Sequence, residues 1–325
     1  MEPSTSSTGG RILCIAGGGS RGVIPPTYLE YIEKEHKVDP KELFDFHSGT
    51  SIGSILATGL AKKGPQTVSD ITKCLLQTLP KVFASPSLIS KILHLGFAFK
   101  EEYGAAPLQT ALSAQFGDTL YSETTKPVLV MATRTNPFSP YRFISDQPSP
   151  YPNLTMTQVL RASSAAPTYL PGYFITNNQG TEDEYIDGGM SGANDPTNVA
   201  ITYFSRRITK RIVVLSLQTG KCTLALPASS ARWGWLSWVG KNDEALITGL
   251  FDTMISNTAQ IVEDWQAGPS VAGRASLILN PVVPFKDDAL NSSSPEVLNA
   301  LIDIANIDAE ANKDSISDFV RLLKP

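Results

Sequence analysis

The 325-residue chain is short of the side chains that most often serve as bases and metal ligands. It has three histidines, His36, His47 and His94, so a histidine-based site has few places to form. Its three cysteines, Cys14, Cys74 and Cys222, are odd in number and lack metal-ligand spacing. They point to a reducing compartment and no zinc site, and no metal is expected. The net charge of −4 offers no electrostatic footprint for nucleic acid. No apolar run reaches the ~18 residues a membrane span needs. The opening segment MEPSTSSTGG has neither the basic nor the apolar region of a signal peptide. The expectation is a soluble or peripheral, cytoplasmic protein. Residues 1–10 read as a flexible arm and 11–325 as a single α/β domain, with nothing resembling a long linker. Hydrophobic residues at 42% and charged residues at 18% fit a globular chain.

The segment FDFHSGTSIGSILATG, Phe44 to Gly59, carries the strongest local signal. Gly49-Thr50-Ser51-Ile52-Gly53 matches G-x-S-x-G. The apolar run Leu43 to Phe46 before it predicts a buried strand, and Ile55 to Ala61 after it predicts a helix. Strand, tight turn and helix are what a nucleophile elbow requires, with Ser51 strained and its hydroxyl projecting at the helix N-terminus. Gly49 and Gly53 leave room for the turn and for a substrate. The alternative is an ordinary strand-to-helix turn, since small residues cluster in many of them.

Upstream, Arg11 to Ala16 predicts a first buried strand and Val23 to Glu35 a helix, with Pro25 and Pro26 suited to its first turn. Between them lies Gly17-Gly18-Gly19-Ser20-Arg21-Gly22. Gly17, Gly19 and Gly22 satisfy G-x-G-x-x-G, so a nucleotide-dependent oxidoreductase is one reading. That reading wants an acid at the tip of the second strand, where His47-Ser48-Gly49 stands instead, with Asp45 inside the strand. It also leaves Ser51 unexplained. The competing reading aims the backbone N–H groups of Gly17, Gly18 and Gly19 at an oxyanion beside Ser51.

Further elements are predicted as helices over Thr67–Leu79, Ala106–Phe116, Thr155–Ala165, Thr197–Phe204 and Leu246–Trp265, with helix from Pro295 onward. Strands are predicted over Lys126–Thr133, Tyr141–Ser145, Glu184–Ile186, Arg211–Leu217 and Ala275–Leu279. Pro86 to Phe99 reads as buried core, or else as a lid or membrane-facing flap. Trp233, Trp235 and Trp238 suit either a membrane-interface anchor or a loop packed on the core.

Serine needs a base. Only His94 follows Ser51, and it precedes any good acid. His36 ends a surface helix, and His47 is four residues before Ser51 on the same strand. The remaining candidate is a carboxylate. Asp187, in Asp187-Gly188-Gly189 after a short strand, is the best placed, and a pKa raised by burial would help it. A Ser51–Asp187 dyad is therefore expected.

With these residues in hand, the chain resembles the patatin-like phospholipases over at least Arg11 to Lys221. The resemblance rests on AGGGSRG (Ala16–Gly22), GTSIG (Gly49–Gly53) and Asp187-Gly188-Gly189, and the segments KPVLVMAT, RASSAAPTYLP and DGGMSGANDPTNVA also look like family core blocks, in the right order along the chain. It implies a three-layer α/β/α fold with a mostly parallel central sheet and no cofactor. It also implies a lipid acyl hydrolase (a serine esterase of phospholipase A type) acting on membrane glycerolipids at a peripheral membrane contact. Ser51 would be nucleophile, Asp187 base, Gly17, Gly18 and Gly19 the oxyanion hole, and Arg21 a support for the loop. Ala16 departs from the aspartate usual in the family and puts that loop's fine structure in question. A catalytically silent lipid-binding or storage protein with the same fold is the third reading.

Overall fold

Strand β1 (Gly10–Ile15) is GRILCI, buried at every position but Arg11, and it takes the middle of the sheet. The computed structural model describes residues 10–84, 104–167, 169–208, 211–222, 243–267, 273–284 and 292–324. Gly10, assigned above to the arm, already pairs with Ile212; the rest of that arm lies outside the described residues. So do Pro86–Phe99 with His94, and Trp233, Trp235 and Trp238.

After β1 a 3-10 turn (Gly19–Val23) feeds helix α1 (Ile24–His36), which begins with its prolines in the first turn. A one-turn helix α2 (Pro40–Leu43), capped by the Asp39 side chain on the Lys41 amide, precedes β2 (Phe46–Thr50). The elbow strand therefore lies later than the expected Leu43–Phe46. Leu43 belongs to α2, and the polar residues His47, Ser48 and Thr50 are the fully buried strand. Asp45 is drawn back to β1, where its carboxylate takes the Arg11 guanidinium at 2.6 Å and the Arg11 amide at 2.9 Å.

Helices α3 (Ile52–Ala61), α4 (Val68–Val82) and α5 (Ala106–Phe116) follow. Thr67 and Asp70 form a reciprocal capping box at the start of α4. Strands β3 (Val128–Thr135) and β4 (Phe138–Ile144) make an antiparallel pair. Next come α6 (Met156–Ser163), β5 (Tyr173–Thr176), β6 (Glu182–Asp187), α7 (Thr197–Phe204) and β7 (Ile212–Leu217). The described chain ends with β8 (Lys221–Cys222), α8 (Asp243–Ala267), β9 (Arg274–Leu279), β10 (Val282–Val283), α9 (Pro295–Ala311) and α10 (Lys313–Leu323).

Among the described residues the main sheet has eight strands in the order β5-β6-β3-β2-β1-β7-β9, with β4 on β3. The pairs β3/β2, β2/β1, β1/β7 and β7/β9 are parallel; β4, β5 and β6 supply the antiparallel edge. Side-chain alternation divides the core in two. Leu13, Ile15, Val128, Val130, Val213 and Leu215 join the helices α1, α3, α4, α5 and α9 on one face. Ile12, Cys14, Leu129, Met131, Ile212 and Val214 meet α7 and Val262 of α8 on the other. That is the three-layer α/β/α arrangement, with parallel strands buried on both faces as such sheets require.

Register brings two distant strand ends together. β4 covers one edge of β3 from Leu129 to Thr135, so β2 and β6 must share the other. β2 runs parallel there and ends with Thr50 opposite Met131. β6 runs antiparallel and ends with Asp187 opposite Ala132, the next rung. The C-terminal ends of β2 and β6 thus abut, which sets Ser51 beside Asp187.

Candidate active site

Ser51 sits between β2 and α3 with φ 53°, one of three non-glycine residues at positive φ among those described. A serine there is strained by roughly 1–3 kcal/mol, and such strain persists only where the surroundings enforce it. They do so through close backbone approach. A Cβ on Gly53 would lie 2.3 Å from the Ile15 carbonyl oxygen and 2.5 Å from that of Ala16. One on Gly49 would lie 2.4 Å from the Gly53 carbonyl oxygen. Both motif glycines let α3 press against the ends of β1 and β2. Ser51 heads α3 without capping it, so its hydroxyl is not spent on the helix.

The Ser51 amide donates to Ser163 Oγ at 2.9 Å, and Ser163 Oγ–H donates to the Met131 carbonyl at 2.6 Å. Two residues on, the Ala165 carbonyl accepts from the Asp187 amide at 2.9 Å. Thr133 Oγ1 donates to the Asp187 carbonyl at 2.9 Å. Sequence reasoning did not single out Ser163 or Thr133, although Ser163 lies in RASSAAPTYLP.

Asp187 is 4% exposed. Burial pushes its carboxyl from 3.8 up to about 6, while hydrogen bonding to the Ser51 side chain and to the Gly189 amide holds it down. The Gly189 amide lies 2.8 Å from Oδ1. Gly188 has no room for a side chain, because its Cβ would fall 2.5 Å from the Met131 carbonyl oxygen. The histidines take no part among the described residues. His36 ends α1, and His47 is fully buried, which drives its pKa down to about 3.

The glycine-rich loop departs from expectation at one position. The Gly17 amide already donates to the Asn194 carbonyl at 2.9 Å, so it is not available to an oxyanion. Gly18 and Gly19, in contrast, line the cavity that holds Ser51. The Gly17 carbonyl accepts from Thr219 Oγ1 at 2.6 Å and from Asn194 Nδ2 at 3.2 Å. Those bonds hold the loop where Ala16 offers no carboxylate. Arg21 is fully buried; its amide donates to the Gly18 carbonyl at 3.0 Å and Nη1 reaches the Gly220 carbonyl at 3.4 Å. The third glycine of the dinucleotide pattern, Gly22, faces the elbow: its Cβ would lie 2.3 Å from Ile52 Cγ1. Close packing accounts for Gly17 and Gly18 as well: a Cβ on Gly17 would lie 3.1 Å from Ser51 Cβ and one on Gly18 2.3 Å from Thr219 Oγ1.

The cavity has a volume of ≈ 190 Å³. Gly18, Gly19, Ser51, Asp187 and Asn194 are among the residues that line it. Helices α3, α4 and α5 line it as well, with Ile55, Leu75, Leu79, Val82, Leu108 and Leu112. Among the described residues, no helix is long and apolar enough to cross a membrane.

The family model for "Patatin-like phospholipase" matches residues 13–201, more than half of the chain. Patatin-like protein 2 of Arabidopsis thaliana is 30% identical over 294 residues, 79% of this chain and 72% of that protein. Patatin-like protein 1 of Oryza sativa subsp. indica is 28% identical over 298 residues, 80% of this chain and 71% of that protein. The crystal structure of VipD from Legionella pneumophila aligns with 93% of this chain and 67% of its own at 13% identity and a TM-score of 0.44, too remote to bear on function. The chain belongs to the patatin-like phospholipase family, which makes it a lipid hydrolase.

Proposed function

We propose that the protein releases fatty acids from membrane glycerolipids through an acyl-enzyme on Ser51, with Asp187 as the side-chain base. The observation that carries this reading is one cavity lined both by Ser51, Asp187, Gly18 and Gly19 and by a largely apolar set of side chains from α3, α4 and α5. An acyl chain fits such a lining, with its ester carbonyl at Ser51. Asp187 takes the Ser51 proton as Oγ attacks the carbonyl carbon, and returns it to the departing alcohol. Water then enters and gives a proton to Asp187 as its oxygen attacks the acyl carbon; Asp187 returns that proton to Ser51 Oγ as the bond to the acyl group breaks and the free acid leaves. A carboxylate is a modest base, so its raised pKa and the amides of Gly18 and Gly19, as oxyanion donors, supply the rest. Arg21 supports those amides from beneath. The substrate's place in a bilayer implies peripheral contact with the membrane, and the chain from 11 to 325 acts as one domain. Fatty acid release from phosphatidylcholine vesicles tests the reading: Ser51→Ala and Asp187→Ala should each abolish it. Wild-type rates in both variants would refute it, and favour a lipid-binding protein that performs no chemistry.

A further inference from the structure

The segment Ser163-Ser164-Ala165 lies at the C-terminal end of α6 and touches the backbones of both proposed reacting residues. Ser163 Oγ accepts from the Ser51 amide and donates to the Met131 carbonyl, at 2.9 Å and 2.6 Å. Ala165 accepts from the Asp187 amide at 2.9 Å. Met131 is the rung of β3 opposite Thr50, and the next rung, Ala132, is opposite Asp187. Ser163 therefore joins the elbow to the very strand that anchors the acid.

We infer that Ser163 is a positioning residue whose buried hydroxyl fixes the strained elbow at the separation that lets Ser51 Oγ engage Asp187. The inference rests on the dyad reading above and adds a residue to it. Three features carry the claim. Ser163 is fully buried, so water cannot replace its hydroxyl. Its hydroxyl has a partner on each side, one donor and one acceptor, which uses both functions of a serine. The amide it accepts from belongs to the residue at φ 53°, the least tolerant point of the turn. With Ser163 replaced by alanine, the Ser51 amide and the Met131 carbonyl both lose a buried partner. The elbow can then relax, and Ser51 Oγ drifts from the carboxyl. A misplacement of this kind lowers turnover on the order of 10- to 100-fold.

A structural role alone would lower thermal stability and leave the surviving enzyme unaltered. Positioning has a second signature. Hydrogen bonding to Ser51 is one of the two contacts that hold the Asp187 pKa down. Losing it moves the acidic limb of the kcat/KM profile upward from about 6.

The test measures hydrolysis of a soluble p-nitrophenyl ester and of phosphatidylcholine vesicles by the full chain from pH 4.5 to 9. Ser163→Ala is expected to lower kcat 10- to 100-fold with KM nearly unchanged and to shift the acidic limb upward. Ser163→Thr, which keeps the hydroxyl, is expected to restore both toward wild type. Should Ser163→Ala fail to fold, Ser163→Cys, of similar size and weaker hydrogen bonding, is read by the same two quantities. Wild-type kcat in Ser163→Ala overturns the inference, and so does a lowered kcat with an unmoved acidic limb. Either result beside an inactive Ser51→Ala rejects the role of Ser163 alone; activity in Ser51→Ala rejects the dyad itself.

Discussion

Replacing Asp187 by asparagine should stabilise the protein while abolishing its activity. The carboxyl ionises at about 6 in the folded chain against 3.8 in the unfolded one, chiefly because burial disfavours its charged form. At a pH between those values the folded state holds a proton that the unfolded state has released. Stability from this group therefore falls as pH rises through that window, and above it the full penalty applies. At about 1.4 kcal/mol per pH unit of displacement, the penalty at pH 8 is about 3 kcal/mol. Asparagine carries no charge to bury. Its carbonyl can still accept from the Gly189 amide, which lies 2.8 Å from Oδ1 in the native chain. A chain of this size has an unfolding entropy that converts about 3 kcal/mol into a rise of roughly 4 °C in Tm. Thermal unfolding of both proteins at pH 3.5 and pH 8 measures it. The variant should match wild type at the lower pH and exceed it at the higher. An Asp187→Asn protein no more stable than wild type at pH 8 would show that burial does not penalise the carboxylate as described here.

Other outcomes follow from the same geometry. Because the base must be ionised to accept the Ser51 proton, kcat/KM for a soluble ester should climb tenfold per pH unit below about 6 and level off above it. A profile flat from pH 4.5 to 8 would point to a different base. Gly53→Ala forces a Cβ to 2.3 Å from a backbone oxygen that has no freedom to move aside. It should destabilise the fold by about 1–3 kcal/mol and remove most activity, as read by denaturant unfolding and ester hydrolysis. A soluble, fully active Gly53→Ala would contradict the close approach of α3 to β1.

The elements with a clear apolar period were legible in the sequence: β1, β3, β7, α5 and α7 lie within a residue or two of expectation. The elbow strand was not, for a physical reason. Its strongest apolar signal, Leu43-Phe44, belongs to a short helix and the turn after it, while the strand proper is made of His47, Ser48, Gly49 and Thr50. Polar residues become strand there because β1 and β3 flank them on both sides, a fact no local window contains. The pairing of Ser51 with Asp187 could be guessed from the shortage of histidines. Its cause, two strand ends sharing one edge of β3, exists only in the register. Ser163 and the Gly17 amide show the same limit. A small serine at a helix end and a glycine in a run of three carry no mark of whether their hydrogen bonds are open or taken.

The central claim is that Ser51 carries the acyl group, with Asp187 as its proposed base. Incubating the protein with a chromogenic fatty ester, quenching in acid within the first turnovers and mapping the acylated peptide by mass spectrometry tests this directly. The account predicts an acyl adduct on Ser51 in wild type and none in Ser51→Ala. An adduct on any other residue, or product formed at wild-type rate by Ser51→Ala, would contradict it.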